Sequence, residues 1–512
     1  MGMATEAPAP TTDLVLRTEG RRQESSAALD ASSRRKLGQF FTPAPAADFI
    51  ASLAKLPQSG SVRILDPGAG AGSLTASLVA RLIEERPDVK ISVTACEVDP
   101  QLHAALQATL DDCVNTAACF GAHVEVNLVR GDFIAWATGV DDTFSQPPGA
   151  FDFVIMNPPY KKLAASSRER KSIAAVCTET SNLYSAFMAL GVHLLSSGGQ
   201  LLAITPRSFA NGPYFRPFRK YFLERMHLDR VHVFEARNKV FADTDVLQEN
   251  VIFTATRTDG AERGPVVVST SRSYSEDVRQ RSVPYVEMVH PEDREYFIHI
   301  SADEEDTALA ASHASLPCTL PSLGMQVSTG RVVDFRSKEH LRPDRVPGAV
   351  PLIYPLHMGD GVIKWPVPGA KKNNAIMLNE QTEKLTFPPG NYVVVKRLSS
   401  KEEKRRVVAV VFDPEQVPCE RIGFENHVNV FHVAGSGLQP EVARGLCLWL
   451  NSTILDRFIR RFNGHTQVNA TDLRNLRYPS VEQLTALGSS WQTGMWMTQE
   501  EIDELVRQNV TR

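Results

Sequence analysis

The chain has 512 residues, 43% of them hydrophobic, with 55 Lys and Arg against 59 Asp and Glu. This length and hydrophobic fraction support two or three globular domains and exclude a disordered chain, and no run approaches the roughly 18 apolar residues of a membrane span. The seven cysteines are scattered without a C-x-x-C pair, which argues against a disulfide framework or a zinc site and favours a reducing cytoplasm.

The first 33 residues combine an Ala/Pro/Thr-rich start with the charged run TEGRRQESS. They lack the apolar core that a secretory signal requires. We therefore expect residues 1–33 to form a disordered leader.

From residue 34 to residue 256, short runs rich in β-branched residues alternate with segments of helical periodicity. This alternation predicts an α/β domain built on a parallel, doubly wound, Rossmann-like sheet. The predicted helices span 45–56, 73–85, 100–117, 182–195 and 215–226. The seven predicted strands span 62–65, 91–96, 124–129, 151–156, 200–204, 230–234 and 251–255.

Beyond residue 257 the alternation stops, and a less regular region continues to about residue 480. It predicts a second domain of mixed α+β type over 257–480. Within it, 392–398 and 407–412 are predicted strands, and 446–462 is a predicted amphipathic helix. The remaining residues, 481–512, form a tail whose acidic run QEEIDEL predicts a helix.

Charge is distributed unevenly along the chain. Residues 321–479 contain 22 Lys and Arg against 15 Asp and Glu, although the whole chain has a formal net charge of −4. A local excess of positive charge suits a phosphate backbone, but ordinary variation of a protein surface also produces it.

The sequence D-P-G-A-G-A-G, residues 66–72, stands between the first predicted strand and the helix after it. Glycines at such a turn let the backbone approach a ligand closely. The dinucleotide fingerprint G-x-G-x-x-G has its third glycine at the position where Ser73 stands, so the match is poor. Asp66 precedes Gly68 and Gly70, where its carboxylate can meet the cationic methionine moiety of S-adenosylmethionine. The turn therefore predicts S-adenosylmethionine as cofactor.

Two more carboxylates, Glu97 and Asp132, follow the next two predicted strands. Ligands of open α/β sheets bind at the carboxyl ends of the strands. We expect Glu97 to accept hydrogen bonds from both ribose hydroxyls, with Val98 packed on the adenine face. We expect Asp132 to accept from the cofactor's adenine amine, with Phe133 lining the same pocket. A solvated strand end is the alternative for each acid alone, and three in register favour the cofactor site.

The fourth predicted strand ends in Asn157-Pro158-Pro159-Tyr160. An aromatic amine is a poor nucleophile until hydrogen-bond acceptors hold its nitrogen in a more tetrahedral state. The Asn157 side-chain oxygen and the Pro158 carbonyl can accept the two amine hydrogens and aim the lone pair at a methyl donor. Two prolines stiffen the loop, and Tyr160 offers a ring on which an extruded base can stack. The alternative is an ordinary surface turn.

With these motifs in this order, residues 34–256 resemble the gamma-class DNA adenine-N6 methyltransferases of bacterial restriction-modification systems. The resemblance implies a class I methyltransferase domain of seven strands, S-adenosylmethionine as cofactor, and double-stranded DNA as substrate, with the target base flipped out of the helix. It implies that Thr42, in the upstream motif G-Q-F-F-T-P, lies near the methionine moiety and that Asn157 also borders the cofactor. It also implies that Phe241 stacks on the flipped adenine, with core packing as the competing role because Phe234 lies nearby.

The resemblance further implies that 257–480 is the target-recognition domain, with candidate loops at 330–333 (GRVV) and 464–469 (GHTQVN). The local charge suggests that a basic segment of this domain contacts phosphates. A solvated hairpin, with Lys401 and Glu402 facing water, is the alternative. The residues expected to contact DNA are Lys396, Arg397, Lys404, Arg405 and Arg406.

Several other functions share parts of this pattern. A cytosine-N4 DNA methyltransferase is the nearest rival, although a Ser-Pro-Pro-Tyr motif is more typical of that class. RNA or protein amino-group methyltransferases use similar chemistry but do not usually need so long a second domain, and a non-catalytic DNA-binding subunit would not need the intact motifs. We expect the modification enzyme of a type II restriction-modification system in the bacterial cytoplasm, with any endonuclease on a separate chain. No metal or membrane partner is expected, and the oligomeric state stays open, a monomer included.

Overall fold

The computed structural model describes residues 9–29, 41–58, 60–140, 150–234, 250–260, 263–274, 277–291, 293–300, 309, 312–313, 315–399, 403–462, 467–491 and 496–510. The chain divides into two compact units, Met1–Ala302 and Asp303–Arg512. In the described residues, no helix is long and apolar enough to cross a membrane.

The first unit is built on a sheet of nine described strands. Their order is β3-β2-β1-β4-β5-β7-β6-β8-β9, in which β1 to β5 are mutually parallel. β7 runs antiparallel to β5 and β6, and β9 runs antiparallel to β8. The strands are β1 Ser61–Pro67, β2 Lys90–Glu97, β3 His123–Arg130, β4 Phe151–Met156, β5 Leu195–Pro206, β6 Met226–Phe234, β7 Asn250–Arg257, β8 Val266–Ser271 and β9 Arg279–Val283.

Helices cover both faces of this sheet. Along β4, Phe153 and Ile155 belong to one hydrophobic cluster, which includes α3 and α4, whereas Val154 and Met156 belong to another, which includes α7 and α8. Alternate residues of a strand point to opposite faces, so both faces are buried. The helices are α1 Pro10–Ala28, α2 Ala44–Ser52, α3 Ser73–Glu85, α4 His103–Cys119, α5 Phe133–Thr138, α6 Arg168–Val176, α7 Leu183–Leu194, α8 Arg216–Arg225 and α9 Tyr285–Met288.

All seven predicted strands are present, but the sheet differs from the prediction in direction and extent. The expected all-parallel sheet is wrong at β7, because hydrophobic runs predict strands without specifying how they pair. Residues 257–283, assigned from sequence to the recognition domain, contribute β8 and β9 to the sheet of the first unit. The compact unit consequently ends at Ala302 rather than at residue 256.

The N-terminal segment also differs from the expected disordered leader, because residues 10–28 form the helix α1. Leu14 is fully buried in the cluster that includes α3 and α4. Arg17 and Arg21 both pair with Asp112 on α4, Arg17 Nε lying 3.1 Å from the carboxylate. The buried residues of this helix are Thr11, Leu14, Thr18 and Arg22, and only Leu14 is apolar, so the sequence has no hydrophobic periodicity that would predict the helix.

The second unit contains two small sheets and a group of helices. One sheet has the order β10-β20-β17-β18-β14-β13 and the other β11-β15-β12-β19-β16. Its strands are β10 Gln326–Thr329, β11 Leu341–Arg342, β12 Ala349–Ile353, β13 Met358–Gly359, β14 Val362–Ile363, β15 Ala375–Met377, β16 Thr386–Phe387, β17 Tyr392–Lys396, β18 Ala409–Phe412, β19 Ile422–Phe424 and β20 Val428–His432. Its helices are α10 Pro440–Leu450, α11 Thr453–Phe462, α12 Ala470–Arg474, α13 Val481–Ser489 and α14 Gln499–Asn509.

The mixed α+β prediction for this region is therefore confirmed, with two changes. The predicted helix 446–462 is interrupted at Asn451, whose amide Nδ2 donates to the carbonyls of Ala409 and Cys447, both at 2.8 Å. The predicted tail 481–512 contains α13 and α14, which bury their apolar faces in the core that also holds α10. A Cβ atom on Gly445 would lie only 1.8 Å from the backbone of α13, so α10 and α13 touch along their backbones.

Candidate active site

The glycine turn after β1 is fixed in a conformation that glycine adopts readily. Gly68 and Gly70 have φ angles of 76° and 60°, in the left-handed region that other residues avoid. The Gly68 amide donates to the Cys96 carbonyl at 2.8 Å, which ties the turn to the end of β2. The turn therefore presents bare backbone at the carboxyl edge of the sheet, between β1 and its neighbours.

Asp66 lies at the base of this turn and is only 1% exposed. Its Oδ2 accepts a hydrogen bond from the Thr75 hydroxyl at 2.7 Å, whereas its Oδ1 has no hydrogen-bond partner among the described residues. Burial raises the pKa of Asp66 to about 7. A buried carboxyl with one unsatisfied oxygen is a group that a cationic ligand can stabilise.

Glu97, at the end of β2, is also buried. Its Oε2 accepts from the Gly70 amide and its Oε1 from the Asp99 amide, both at 2.8 Å. Burial raises the pKa of this carboxyl, while the two amide hydrogen bonds act in the opposite direction. Each carboxylate oxygen retains a second acceptor site, so the side chain can still accept from two ligand hydroxyls.

Asp132 ends the turn after β3 and caps α5. Its Oδ1 accepts from the Ile134 amide at 2.7 Å, in the usual manner of an N-terminal cap. The Phe133 ring beside it is buried and lies 4.9 Å from the Phe187 ring. Val98, in contrast, is 49% exposed.

A cavity of about 400 Å³ opens at this edge of the sheet in the first unit. Five residues predicted from sequence line it, namely Gly68, Val98, Asp132, Phe133 and Pro159. The structure thus brings the turns after β1, β2, β3 and β4 together around one space. Its volume falls within the range of pockets that hold small molecules and cofactors.

Other residues of the cavity were not predicted. Lys161, Lys162 and Leu163 follow the Asn-Pro-Pro-Tyr motif directly, and their position in the sequence could have indicated them. Leu183 and Phe187 belong to α7, where apolar residues at helical spacing predict only a core face. No local signal distinguishes a core phenylalanine from one that also borders a cavity.

The Asn-Pro-Pro-Tyr loop forms a short chain of hydrogen bonds. Asn157 Nδ2 donates to Thr42 Oγ1 at 3.1 Å, and the Tyr160 hydroxyl donates to Asn157 Oδ1 at 3.1 Å. Burial holds the pKa of the Tyr160 phenol well above its usual value, so the phenol stays protonated and remains a donor. The Tyr160 ring meets the Tyr184 ring edge-on, with centroids 6.2 Å apart. Within the loop, Pro158 is buried.

Thr42 was predicted as a cofactor-binding residue, and the structure places its hydroxyl against Asn157. Its hydrogen bond fixes the orientation of the asparagine amide and leaves Oδ1 directed to the Tyr160 side. Phe241 and residues 38–40 of the upstream motif lie outside the described residues.

The basic segment predicted to contact phosphates is largely engaged within the second unit. Lys396 pairs with Glu403 at 2.8 Å. The Arg397 guanidinium donates to the carbonyl oxygen of Asn426 at 3.0 Å and to Gln467 Oε1 at 3.3 Å. Neither side chain is positioned as a free surface cation.

Arg406 corrects the prediction more sharply, because it is 0% exposed. Its guanidinium donates to Ser399, and burial lowers the pKa of the group. Arg405 is half-buried, and of the five predicted residues only Lys404 is exposed. Arg406 therefore stabilises the fold and cannot reach a phosphate in this conformation. Lys401 and Glu402 lie outside the described residues.

Known proteins resemble this chain at the level of sequence. The family model described as Eco57I restriction-modification methylase matches residues 111–241. The chain is 41% identical to the type II methyltransferase M.PstI of Providencia stuartii over 509 residues, 99% of each chain. It is 44% identical to the type II methyltransferase M.BsuBI of Bacillus subtilis over 462 residues, 89% of this chain and 90% of that one.

Solved structures are more distant. The type IIL restriction-modification enzyme MmeI in complex with DNA aligns with a TM-score of 0.49 and 11% identity, over 98% of this chain and 74% of that one. The similarity in sequence, by contrast, extends over nearly the whole length of two curated relatives. The chain therefore belongs to the DNA methyltransferases of type II restriction-modification systems.

Proposed function

We propose that this enzyme transfers a methyl group from S-adenosylmethionine to N6 of adenine within a specific sequence of duplex DNA. The observation that carries the proposal is the position of the Asn157 loop. This loop follows β4, which pairs with β1, and the strand order of the sheet reverses between these two strands. The loop and the glycine turn after β1 therefore both lie at this switch point. Ligands of doubly wound sheets bind at this switch point.

The residues at this edge fit the proposed cofactor. The glycine turn offers backbone without side chains, and Asp66 Oδ1 is a buried acceptor without a partner among the described residues. Glu97 retains acceptor sites for two hydroxyls, and Asp132 lines the cavity with only one oxygen engaged by its helix cap. When bound, S-adenosylmethionine supplies an electrophilic methyl group.

The chain's own groups prepare the target amine. Asn157 Oδ1 and the Pro158 carbonyl accept its two hydrogens, which draws the nitrogen lone pair out of conjugation and aims it along the line of transfer. The Thr42 hydroxyl holds the asparagine amide so that the oxygen, not the nitrogen, is available. The Tyr160 hydroxyl donates to that oxygen, and an amide oxygen has two lone pairs with which it can accept hydrogen bonds, the amine hydrogen included.

The target adenine has to leave the duplex before its amine can reach this loop. Extruding a base costs a few kcal/mol, which stacking in the pocket offsets in part. Tyr160 provides one stacking surface, supported by its edge-on contact with Tyr184. We assign the opposite face to Phe241 on the resemblance alone.

Nucleoside analysis tests the proposal directly. The purified enzyme is incubated with S-adenosylmethionine and unmethylated plasmid DNA, and the DNA is digested to nucleosides for mass spectrometry. We expect N6-methyldeoxyadenosine in the product, and about 10²-fold less or lower still with the Asn157→Ala variant over the same short incubation. Recovery of N4-methyldeoxycytidine alone would replace adenine by cytosine as the target, and unmodified DNA beside methylated RNA or protein would overturn the DNA substrate.

We further propose that the second unit selects the DNA sequence and that any cognate endonuclease is a separate chain. The boundary between the two compact units determines where the junction of a domain exchange should lie. A junction at residue 257 would remove β8 and β9 from the large sheet, whereas a junction at 303 keeps both compact units whole. An exchange of 303–512 with a relative of different specificity should redirect methylation to that relative's site. Unchanged specificity would contradict the assignment.

A further inference from the structure

One phenylalanine of the second unit is held out in solvent. The Phe335 side chain is 77% exposed, the highest value among the exposed large hydrophobic residues in the described part of the chain. Isolated exposed apolar residues are common and usually carry no function. Residues 331–338 are hereafter called the Phe335 loop. Phe335 differs from an ordinary exposed apolar residue because the backbone of this loop is anchored and because the loop carries exposed cations.

The loop is anchored firmly where it begins. The Val332 amide donates to the Phe424 carbonyl at 3.0 Å, and the Asn426 amide donates to the Val332 carbonyl at 2.9 Å. Gly330 precedes it in such close contact that a Cβ atom would lie 2.1 Å from the carbonyl oxygen of Glu425. The chain therefore enters the loop pressed against the backbone at 424–426.

Side-chain contacts hold the tip of the loop as well. The Asp334 carboxylate accepts from the Tyr354 hydroxyl at 2.7 Å and lies 2.6 Å from the Lys372 ammonium. The buried Ser337 donates its amide to the Val333 carbonyl at 3.0 Å. Because Asp334 before the phenylalanine and Ser337 after it are both held in place, a structured backbone presents the Phe335 ring to solvent.

One cation lies beside the ring, because the Arg336 guanidinium is 5.4 Å from the centre of the Phe335 ring. Arg331, at the start of the loop, is exposed but lies over the Phe387 ring instead, 4.1 Å from its centre. Lys338 is exposed two residues further along. No carboxylate among the described residues pairs with Arg336 or Lys338. An exposed apolar ring with Arg336 beside it and Lys338 three residues along the chain matches a duplex, in which stacked bases are flanked by phosphates.

We propose that the Phe335 loop is a DNA-contacting element in which the Phe335 ring packs on or between bases and Arg336 and Lys338 meet the flanking phosphates. This role rests on the duplex-DNA substrate of the proposed function and on neither the target base nor the mechanism of transfer. Apolar side chains inserted at a base step kink the duplex and enlarge its contact with protein. The fixed backbone of the loop reduces the entropy lost when the ring is buried.

The test compares variants on plasmid DNA that the wild-type enzyme methylates. We expect Phe335→Ala to raise the plasmid concentration for half-maximal methylation by roughly tenfold or more, since stacking between a base and an aromatic ring contributes that much to binding. Phe335→Leu should retain part of the effect. The S-adenosylmethionine dissociation constant and the melting temperature should not change, because the ring has no packing role in the fold. Val481→Ala is the matched control, an exposed aliphatic side chain of the same unit beside Glu482 rather than cations.

The flanking cations give an independent readout. Arg336→Gln with Lys338→Gln should flatten the dependence of plasmid binding on salt by about 0.9 log unit per lost phosphate contact. Wild-type plasmid affinity and salt dependence in all three variants, with folding intact, would overturn the proposal and leave the proposed methylation of adenine untouched. Conversely, a product methylated at cytosine would contradict the proposed target base and leave this loop in its role.

Discussion

The charged residues predicted from sequence to bind ligands have different structural surroundings in the two units. In the first unit, Asp66, Glu97 and Asp132 lie at the carboxyl ends of successive strands: Asp66 is buried at the base of the glycine turn, Glu97 accepts from the Gly70 amide of that turn, and Asp132 lines the cavity. In the second unit, Lys396 and Arg397 are tied to neighbouring groups and Arg406 is buried. The comparison indicates that a charged residue is informative about a site where the topology of the sheet already determines the position of that residue. Carboxyl ends of parallel strands converge on one edge, whereas a basic run in a hairpin has no such constraint.

The largest expected effect is on the rate of methyl transfer, and it concerns the Asn157 loop at the carboxyl end of β4. Asn157→Ala should lower the rate of methyl transfer by about 10²–10³-fold, because an oriented acceptor for the reacting group is lost. S-adenosylmethionine binding, measured by calorimetry, should stay near the wild-type value. The control is Asn115→Ala, an exposed asparagine on α4, which should have full activity. Near wild-type turnover in Asn157→Ala would remove this residue from the chemistry.

In the second unit, the comparison predicts a loss of stability rather than of DNA affinity. Arg406→Gln should lower the free energy of unfolding by about 2–3 kcal/mol, because buried acceptors at Ser399 lose a charged donor. Lys404→Gln, two residues away on the surface, should change it by less than about 0.5 kcal/mol. Urea denaturation measures both. If Arg406→Gln were fully stable but bound DNA weakly, the sequence-based assignment would be restored.

Substitution of Glu97 tests whether the acidic residues at the ends of the strands form one cofactor site. Glu97→Ala should weaken S-adenosylmethionine binding by about 1–3 kcal/mol, because two ribose hydroxyls lose a charge-assisted acceptor. Glu97→Gln separates this effect from the support that the side chain gives the Gly70 amide, since it keeps one acceptor oxygen. Glu125→Ala, an exposed glutamate of β3, serves as the control. An unaltered dissociation constant in Glu97→Ala would show that the cofactor lies elsewhere.

A smaller effect is expected from the titration of Asp66. The free protein holds the pKa of this carboxyl at about 7, whereas an unfolded chain ionises it near 4. A cationic ligand beside Oδ1 lowers the pKa, so binding below about pH 7 releases a proton, and affinity for S-adenosylmethionine should rise as the pH approaches 7 and then level off. Calorimetry at pH 6.5 in buffers of different ionisation enthalpy measures the released proton.

Asp66→Asn should abolish that proton release, while wild-type protein that releases none would contradict the contact. The same shift affects stability in the absence of ligand. Between about pH 4 and pH 7 the unfolded state loses a proton that the folded state retains, so this group makes the protein less stable as the pH rises through that interval. Above pH 7 its contribution is constant.

The sequence by itself determined the strands of the first unit and the motifs at their ends. Periodicity and strand-end residues are local properties, and a parallel sheet converts them into a common site, as Gly68, Val98 and Asp132 show at one cavity. The helix α1 escaped prediction because its support comes from α3 and α4, far along the chain.

Only the tertiary structure decided how the elements pair and which side chains are buried. The reversed β7, the extension of the sheet by β8 and β9, and the hydrogen bond between Thr42 and Asn157 all join distant parts of the chain. The same holds for Arg406, a cation in sequence and a core residue in the fold, and for Phe335, an apolar residue that the backbone at 424–426 helps to hold in solvent. Burial depends on the sum of long-range contacts, which no local pattern contains.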